Sequence, residues 1–351
     1  MANWYCTREQ VKRAGAIHGA DKDAQLDRLI EAASRDFDKA TRRRYIPETA
    51  TKLYRWPNRH GSGYTLWLSH DLLSVITLQT KAQDSSPTTI AAADYFLEPQ
   101  QHGPPYNRIE IDLSSSAAFE AGDTPQRSIS VNGSWGYSNT TKSAGTVSSG
   151  LAASASATSM VCSNAALIGV GEALLIESEQ LFVSDRSYAN LATILIDGAL
   201  TADMSNVSVT VDAGHGINAG ETIKVDSEEM YVSFVGGNVL TVIRAYNGSV
   251  LAAHSDNTAV QINRTLTVER GVNGTTAATH ANATAISKYQ PPFDVVSHIV
   301  AEVLAAFAQE EAHWGRTVGS GEGVVEFSTR SLAARRESLV KRYQRPREAA
   351  I

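Results

Sequence analysis

Acidic residues recur at two places in the middle of the chain and, with the histidines, are the residues that could do chemistry. Glu177 and Glu179 form one group, and Asp226, Glu228 and Glu229 form the other. Two carboxyl groups on one strand face can act as general acid and base if one has a raised pKa. The sequence gives neither group apolar surroundings that would raise a pKa. We interpret these carboxylates as a solvated strand edge, which discourages aggregation.

Histidines are the second set of candidates. The chain has nine, and His254 and His280 occupy equivalent places in a sequence repeat. A repeated histidine is more typical of a repeated turn or packing position than of a metal ligand, so we predict a structural role. No zinc-protease, paired-cysteine, phosphate-loop or serine-hydrolase pattern occurs. The sequence therefore predicts no enzyme, no cofactor and no metal site.

Length and composition further limit the classes of protein that this sequence can belong to. A chain of 351 residues is typical of two or three domains, and 42% hydrophobic residues suffice for packed cores. The net charge of −6 argues against a protein that coats nucleic acid through a basic surface. Cys6 and Cys162 cannot form a disulfide framework. No secretory signal or membrane span is visible, so we expect a protein assembled in a cytosol.

Helices are predicted near both ends of the chain. Thr7 and Gln10 form a capping-box pattern that opens a short helix to about Ile17. A longer helix is predicted over 23–43, with Asp21 or Asp23 as its N-cap, and another over 292–314. Each long helix has apolar residues at the spacing of a single buried stripe. The stripes contain Leu26, Leu29, Ile30 and Phe37 in the first helix, and Val296, Ile299, Val300, Val303, Leu304 and Phe307 in the second.

Alternating residues predict strands between the helices. Short stretches that include 64–68, 75–80 and 128–135 indicate a small antiparallel sheet after residue 50. At about residue 139 the composition shifts to Ser, Thr, Ala and Gly. From there to about 288 the chain is poor in charge and rich in β-branched residues, which predicts a second, larger β region.

This second β region contains an internal repeat. Residues 157–184 match 206–233 at the offset from Gly171 to Gly220, and residues 240–260 match 266–286 at the offset from Arg244 to Arg270. Two front halves are thus followed by two back halves, the order that a nested duplication produces. A degraded back half at 192–204 is the alternative. Asn-Gly pairs at 247–248 and 273–274 predict hairpin turns.

A basic tail follows a glycine-rich stretch at 315–323. It is either a solvated amphipathic helix or a docking arm that a hinge carries to a partner. The candidate docking residues are Arg330, Leu332, Arg335, Arg336, Leu339, Lys341, Arg342, Tyr343, Arg345 and Arg347.

The parts of the chain before and after the second β region together show a defined order of helices, strands and turns. The helix 25–33 leads to the basic run 41–45, and a β stretch ends at 131–137. Pro291 and Pro292 then open a helix, and 343–346 (Tyr-Gln-Arg-Pro) lies near the end. This order resembles the head–tail connector, or adaptor, proteins of tailed bacteriophages, over residues 1–137 and 290–351.

The resemblance implies an α+β protein with a discontinuous body. Residues 1–137 and 290–351 would form a helical ring-forming body with a small antiparallel sheet, and 150–288 a large inserted all-β region of duplicated small modules. The helices 23–43 and 292–314 would build the ring, and the tail 324–351 would contain the portal-docking segment. In this family the glycine-rich strand runs almost directly into the proline-initiated helix, so the β region departs from the pattern. We expect it on the outside or the tail-facing rim of the ring.

The resemblance also implies a role in the virion. Adaptors of this family form a ring, usually of twelve copies, below the portal protein in the neck. The ring extends the DNA channel, binds the next neck or tail component and lets genomic DNA pass without specific binding. We therefore expect a structural, non-enzymatic protein of the virion neck, assembled in the host cytoplasm. The alternative is a surface-binding or adhesion module that recognises a glycan or the capsid through the duplicated β region.

Overall fold

The computed structural model describes residues 3–57, 63–189, 194–312, 317–318, 325–326 and 330–345. This part of the chain is mixed α+β and mostly β, with four α-helices and two large antiparallel sheets of six and ten strands. The helices are α1 (Arg8–Ala14), α2 (Asp23–Thr41), α3 (Phe293–Glu311) and α4 (Arg330–Tyr343). The predicted α+β class is confirmed at this level.

The ends of α1 and α2 follow from local chemistry. Thr7 and Gln10 form the predicted capping box, in which each side chain accepts a hydrogen bond from the backbone N–H of the other. Lys22, rather than an aspartate, occupies the N-cap position of α2, and its side chain makes no cap hydrogen bond. Helix α2 ends at Thr41 because Arg42 adopts a left-handed conformation with φ of 55°.

The long helices share one hydrophobic core although they come from opposite ends of the sequence. Leu26, Ile30 and Phe37 of α2 are fully buried there with Ile299 and Val303 of α3. The C-terminal helix α4 packs on both α2 and α3. We call these helices, with the segments around them that enter the same core, the helical body.

The first sheet follows α2. Its strands are β1 (Glu48–Tyr54), β2 (Thr65–Thr80), β3 (Thr88–Ile90), β4 (Tyr95–Glu98), β5 (Tyr106–Ile111) and β6 (Ile129–Trp135). The order is β1-β6-β2-β5-β4, with β3 also paired to β2. The two strands predicted at 64–68 and 75–80 are one long strand, β2. Irregular pairing near Ser74 and Ile76 interrupts the alternation that a regular strand would show.

The second sheet contains the sequence repeat. Its strands are β7 (Thr141–Thr146), β8 (Ser159–Val161), β9 (Ala173–Ile176), β10 (Glu179–Ala189), β11 (Ser208–Thr210), β12 (Thr222–Val225), β13 (Glu228–Gly236), β14 (Val239–Ile243), β15 (Val260–Glu269) and β16 (Ala285–Tyr289). The order is β11-β14-β13-β12-β15-β10-β9-β16-β7, with β8 also paired to β15. Two short strands, β17 (Thr317–Val318) and β18 (Val325–Glu326), pair elsewhere; the rest of the predicted glycine-rich stretch lies outside the described residues.

Two separate hydrophobic cores divide the second sheet. Module 1 is built from 144–183 with 266–286, and module 2 from 194–262. Their strand pairing is equivalent: Val183 pairs with Val268 as Val232 pairs with Val242, and the next residue is bulged out in both. The halves thus pair in nested order, because the chain completes module 2 before it returns to module 1.

The segment considered as a degraded back half is the beginning of module 2. Leu200 forms a bridge with His254, as Leu151 does with His280. Leu200 follows Leu151 at the offset of the front halves, so that alternative is wrong. The order of the duplicated halves is the nested one.

The Asn-Gly pairs are not hairpin turns, which corrects the prediction. Asn247 and Asn273 lie in short 3-10 turns with φ of 52° and 55°. Strand β14 pairs with β11 and β13 rather than with β15, so no hairpin closes at Asn247. Two-residue hairpins lie instead at 177–178, 226–227 and 237–238, where Glu177, Asp226 and Gly237 have a positive φ.

Candidate functional site

The repeated carboxylates lead to a buried charge cluster in module 1. Glu179 is completely buried, and its two oxygens accept hydrogen bonds from Arg270 at 2.7 and 2.8 Å. His280 Nε2 lies 2.8 Å from the same carboxylate. The backbone N–H groups of Gly271 and Ala278 donate at 3.0 and 2.9 Å. The cluster joins the front half of module 1 to its back half.

Module 2 repeats this cluster. Glu228 is completely buried and accepts hydrogen bonds from Arg244 at 2.7 and 2.8 Å. His254 Nε2 lies 2.9 Å away, and the N–H groups of Ala245 and Ala252 donate at 2.9 and 3.0 Å. The predicted solvated strand edge is therefore wrong for Glu179 and Glu228. Glu179 lies on the same face of β10 as the fully buried Leu181 and Val183, so it points into the module.

The guanidinium groups of both clusters also satisfy backbone carbonyls. Arg270 donates to the carbonyl oxygens of Ala152, Ala157 and Ala278 at 2.9, 3.2 and 2.6 Å. Ala152 and Ala157 lie in the loop before β8, and Ala278 lies in the loop between β15 and β16. Each arginine thus donates hydrogen bonds to loop carbonyl groups that would otherwise need water as a partner.

The electrostatics of the clusters favour a structural role. Burial acts to raise the pKa of Glu179, but the hydrogen bonds from Arg270, Ala278 and His280 outweigh it and lower that pKa to about 2. The Glu228 carboxyl has its pKa lowered to about 2 in the same way. A general acid needs a raised pKa and access to substrate, and these carboxyl groups have neither.

The outer partners of the histidines are exposed carboxylates. Nδ1 of His280 lies 2.8 Å from Glu177, and Nδ1 of His254 lies 2.8 Å from Asp226. Glu177 and Asp226 have 61% and 59% of their side chains exposed. Each histidine bridges the hairpin turn to the buried cluster.

A third buried ion pair joins the two modules. Arg264 donates to both oxygens of Glu221 at 2.7 Å, and Glu221 also accepts from the backbone N–H of Ala165 at 2.8 Å. The equivalent residue of module 1, Glu172, pairs with Lys288 at 2.6 Å, and burial raises its pKa. The pair at Glu221 therefore ties module 2 to a turn of module 1.

Module 1 also contacts the helical body directly. The ring of Trp4 meets that of Phe182 edge-on, with centroids 5.4 Å apart. Asn273 donates to Asn3 at 2.8 Å, and Gly274 lies against the backbone of Thr49. One of the two left-handed Asn-Gly turns thus contacts the helical body through Asn3 and strand β1 through Thr49.

The predicted basic tail forms helix α4, and its apolar side packs on the helical body. Leu339 is 5% exposed in the shared core, and Leu332 is half-buried. The hydroxyl of Tyr343 donates to Asp294 at 2.8 Å, and its ring packs on that of Tyr45. Beyond the helix, Arg345 donates to Asp71 at 2.7 Å. These residues anchor the segment.

The charged residues of α4 lie closer to solvent. Arg336 pairs with Asp36, Arg342 with Asp294 at 2.9 Å, and Lys341 with Glu337 of the same helix at 2.8 Å. Arg335 is exposed and donates to Ser297 at 3.0 Å. The Arg330 side chain and Arg347 lie outside the described residues. Arg335, Lys341 and Arg342 therefore form the exposed basic side of α4.

The residues predicted to form the ring-body helices are brought together. Leu26, Leu29, Ile30, Phe37, Ile299 and Val303 are buried in the shared core, and Val296, Val300, Leu304 and Phe307 are partly buried against it. The spacing of apolar residues thus identified the packed face of each helix.

Sequence reasoning missed the partners of the buried carboxylates. The repeat already matches Arg244 with Arg270 and His254 with His280, and both carboxylates recur at the front-half offset. Glutamate, arginine and histidine that recur together are a signal for a repeated buried cluster, whereas each residue alone is ambiguous.

No group of three or more His, Cys, Asp or Glu side chains within the described ranges is arranged to hold a metal ion. None of the described helices is both long and apolar enough to cross a membrane. Comparison with known proteins found no matching family model, no similar curated protein and no similar solved structure.

Proposed function

We propose that this protein is a structural head–tail adaptor of a tailed bacteriophage. In this role it forms a homo-oligomeric ring below the portal protein, with the number of copies, usually twelve, taken from the resemblance. The ring extends the DNA channel and joins the capsid to the next neck or tail component. The protein acts in the neck of the virion and is assembled in the host cytoplasm.

The observation that carries this proposal is the shared core of α2 and α3. The resemblance rests on two distant stretches of sequence, and it requires them to fold as one body. Ile30 of α2 and Ile299 of α3 are fully buried in the same cluster, which supports that requirement. The β region between 139 and 289 leaves and re-enters this body through the neighbouring strands β7 and β16. This geometry fits an insertion in a loop.

The charge of the chain is compatible with a channel for DNA. A net charge of −6 provides little release of counterions from DNA, so the ring would not hold the genome tightly. In the proposed adaptor, the exposed basic side of α4 meets the portal protein. Arg335, Lys341 and Arg342 would steer this contact by charge, while Leu339 keeps the helix on the body.

The experiment is a complementation test with charge-reversed α4. A phage that lacks its own adaptor is supplied with the wild-type chain or with the Arg335→Glu/Lys341→Glu variant. These side chains are exposed, so the variant should fold, whereas deleting 331–351 would remove Leu339 from the core. We expect full heads and free tails to accumulate unjoined, as counted by electron microscopy.

Lys142→Glu is the matched control. Lys142 is exposed on strand β7 rather than on α4, and its reversal changes the net charge in the same direction. Normal joining with the control and failure with the α4 variant would support the proposal. Normal joining with the α4 variant would exclude α4 as the portal contact, and joining without any copy of this chain would exclude the adaptor role.

A further inference from the structure

A cleft with an excess of positive charge lies where the C-terminal end of α2 meets the first sheet. Its volume of about 460 Å³ is within the range of roughly 300–1,000 Å³ that is typical of small-molecule sites. Six of the described residues that line it are cationic: Arg35, Lys39, Arg42, Arg43, Arg44 and Lys52. The acidic residues among them are Asp38, Glu48 and Asp71. Three positive charges are therefore left over, in a chain whose net charge is −6.

The acidic residues of the cleft are already bound by its cations. The ion pairs are Arg35 with Asp38 at 2.7 Å, Arg43 with Asp71 at 3.1 Å and Lys52 with Glu48 at 3.0 Å. Glu48 also contacts Arg44, and Asp71 also lies 2.7 Å from Arg345, which follows α4. Each of these two carboxylates is thus shared between two cations.

Lys39 and Arg42 supply charge that these carboxylates do not balance. Both residues are exposed, and neither forms an ion pair with a carboxylate in the described part of the chain. The Arg42 side chain donates to the carbonyl oxygen of Arg345 at 2.6 Å, a group without net charge. The negative end of the α2 dipole corresponds to only about half an elementary charge. The position of these cations at the end of a helix therefore does not account for the excess.

His70, which also lines the cleft, responds to the positive potential. Partial burial lowers the pKa of its imidazole most, and the charges of Lys52, Arg345 and Arg44 lower it further, to about 4. An added positive charge is thus disfavoured here, and the same potential would stabilise a bound anion.

The chemistry of the cleft indicates the class of that anion. Four of its six cations are arginines, whose guanidinium groups match phosphate oxygens with two parallel hydrogen bonds. A ligand with several negative charges also balances the excess better than a single carboxylate. We propose that this cleft binds a phosphate-bearing ligand, with Lys39 and Arg42 as its charged contacts. A free phosphate compound and the backbone of a nucleic acid share this chemistry, and the inference does not depend on the adaptor role.

Isothermal titration calorimetry of the full-length chain with pyrophosphate at low ionic strength tests the site. We expect the wild type to bind, and the Lys39→Gln/Arg42→Gln variant to bind at least about tenfold more weakly, because two charged contacts are lost. Arg127→Gln/Lys142→Gln is the matched control, since it removes two exposed positive charges outside the cleft. Lys39→Gln alone leaves the helix end at Arg42 intact and should give an intermediate affinity. Equal thermal unfolding would show that the variants are folded.

Fluorescence anisotropy with a short labelled DNA duplex distinguishes the two sources of phosphate. The logarithm of the affinity for DNA falls with the logarithm of the salt concentration by about 0.9 for each phosphate contact. If the backbone is the ligand, this slope should be smaller by about 2 in the Lys39→Gln/Arg42→Gln variant and unchanged in the control. Pyrophosphate binding without binding of the duplex would support the site and assign it to a free phosphate compound.

Three results would overturn the inference. The first is a wild type that binds neither pyrophosphate nor the duplex. The second is a Lys39→Gln/Arg42→Gln variant that binds both probes as tightly as the wild type does. The third is binding of polyglutamate as tight as that of pyrophosphate and equally sensitive to this variant, which would assign the cleft to carboxylates of a protein partner.

Discussion

Arg270 and Glu179 form a two-pronged ion pair in the interior of module 1, although 91 residues separate them in sequence. All of module 2 lies within that interval. The two partners are therefore separated in sequence by a second, equivalent cluster around Glu228. A buried ion pair is weak evidence for net stability, but breaking one leaves an uncompensated charge. Removing one partner of this pair should therefore destabilise the folded protein strongly.

Glu179→Gln is expected to destabilise the protein by about 3–5 kcal/mol. The change removes the negative charge that faces the buried Arg270 while it keeps the size of the side chain. Glu177→Gln is the matched control, because Glu177 contacts His280 from an exposed turn. Its loss should cost less than about 1 kcal/mol. Urea unfolding followed by circular dichroism measures both, and similar losses would contradict a dominant role for the buried pair.

Acid should weaken both modules. The pKa values of Glu179 and Glu228 are lowered to about 2 from the usual 4.5. A carboxyl group with a lowered folded-state pKa stabilises the fold above its unfolded pKa and loses that contribution as pH falls. We expect the stability from these groups to be complete above about pH 4.5 and to be lost towards pH 2.

The matching variant for this pH dependence is Glu228→Gln. Its free energy of unfolding should fall less steeply than that of the wild type between pH 4.5 and pH 2, because one of the two titrating groups is gone. Urea titrations at a series of pH values measure the two slopes. Parallel curves would show that Glu228 titrates alike in the folded and unfolded chains.

The helical body could be predicted from sequence because its signals are local. The apolar stripe from Leu26 to Phe37 and the capping box at Thr7 each lie within one helix. Strand β2 was harder to predict, since the irregular pairing near Ile76 breaks its alternation. The general class of the fold followed from these local patterns, whereas the strand order depends on contacts between distant segments.

The buried clusters could not be predicted from any single pattern. Glu179 lies between the polar residues Ser178 and Gln180, as an exposed edge residue would, and only its contact with Arg270 shows that it faces inward. The prediction of a hairpin at Asn273 was wrong for a related reason. The Asn-Gly pair correctly predicts a left-handed backbone, but it does not say which strands flank the turn. The local sequence determines the backbone conformation of a turn, whereas tertiary contacts determine which strands it connects.

Helix α4 should behave as part of the core. Leu339→Ala is expected to cost about 2–5 kcal/mol, since it opens a cavity between α4 and the helices beneath it. Leu332→Ala is the control in the same helix, because Leu332 is only half-buried and should cost less. Chemical denaturation gives both values. Equal small losses would show that α4 is not held on the body in solution.

The two left-handed Asn-Gly turns provide a test of how module 1 is attached to the body. Gly274 and Gly248 occupy equivalent positions, with φ of 79° and 77°. A Cβ at Gly274 would overlap the carbonyl oxygen of Thr49, whereas a Cβ at Gly248 would lie 3.4 Å from the Cα of Gly19. Either Gly→Ala change incurs the cost of a left-handed alanine, about 1–2 kcal/mol. Only Gly274→Ala also forces module 1 away from strand β1.

We therefore expect Gly274→Ala to lose clearly more stability than Gly248→Ala. Hydrogen exchange should distinguish the strain of a left-handed alanine from the displacement of module 1. A displaced module 1 would expose the backbone around Pro47 and Thr49, and only in the Gly274 variant. Faster exchange at 46–49 with Gly274→Ala, and unchanged exchange there with Gly248→Ala, is the expected result. Equal losses of stability with no local change in exchange would mean that the strain of the turn accounts for both, and that module 1 can move on the body without cost.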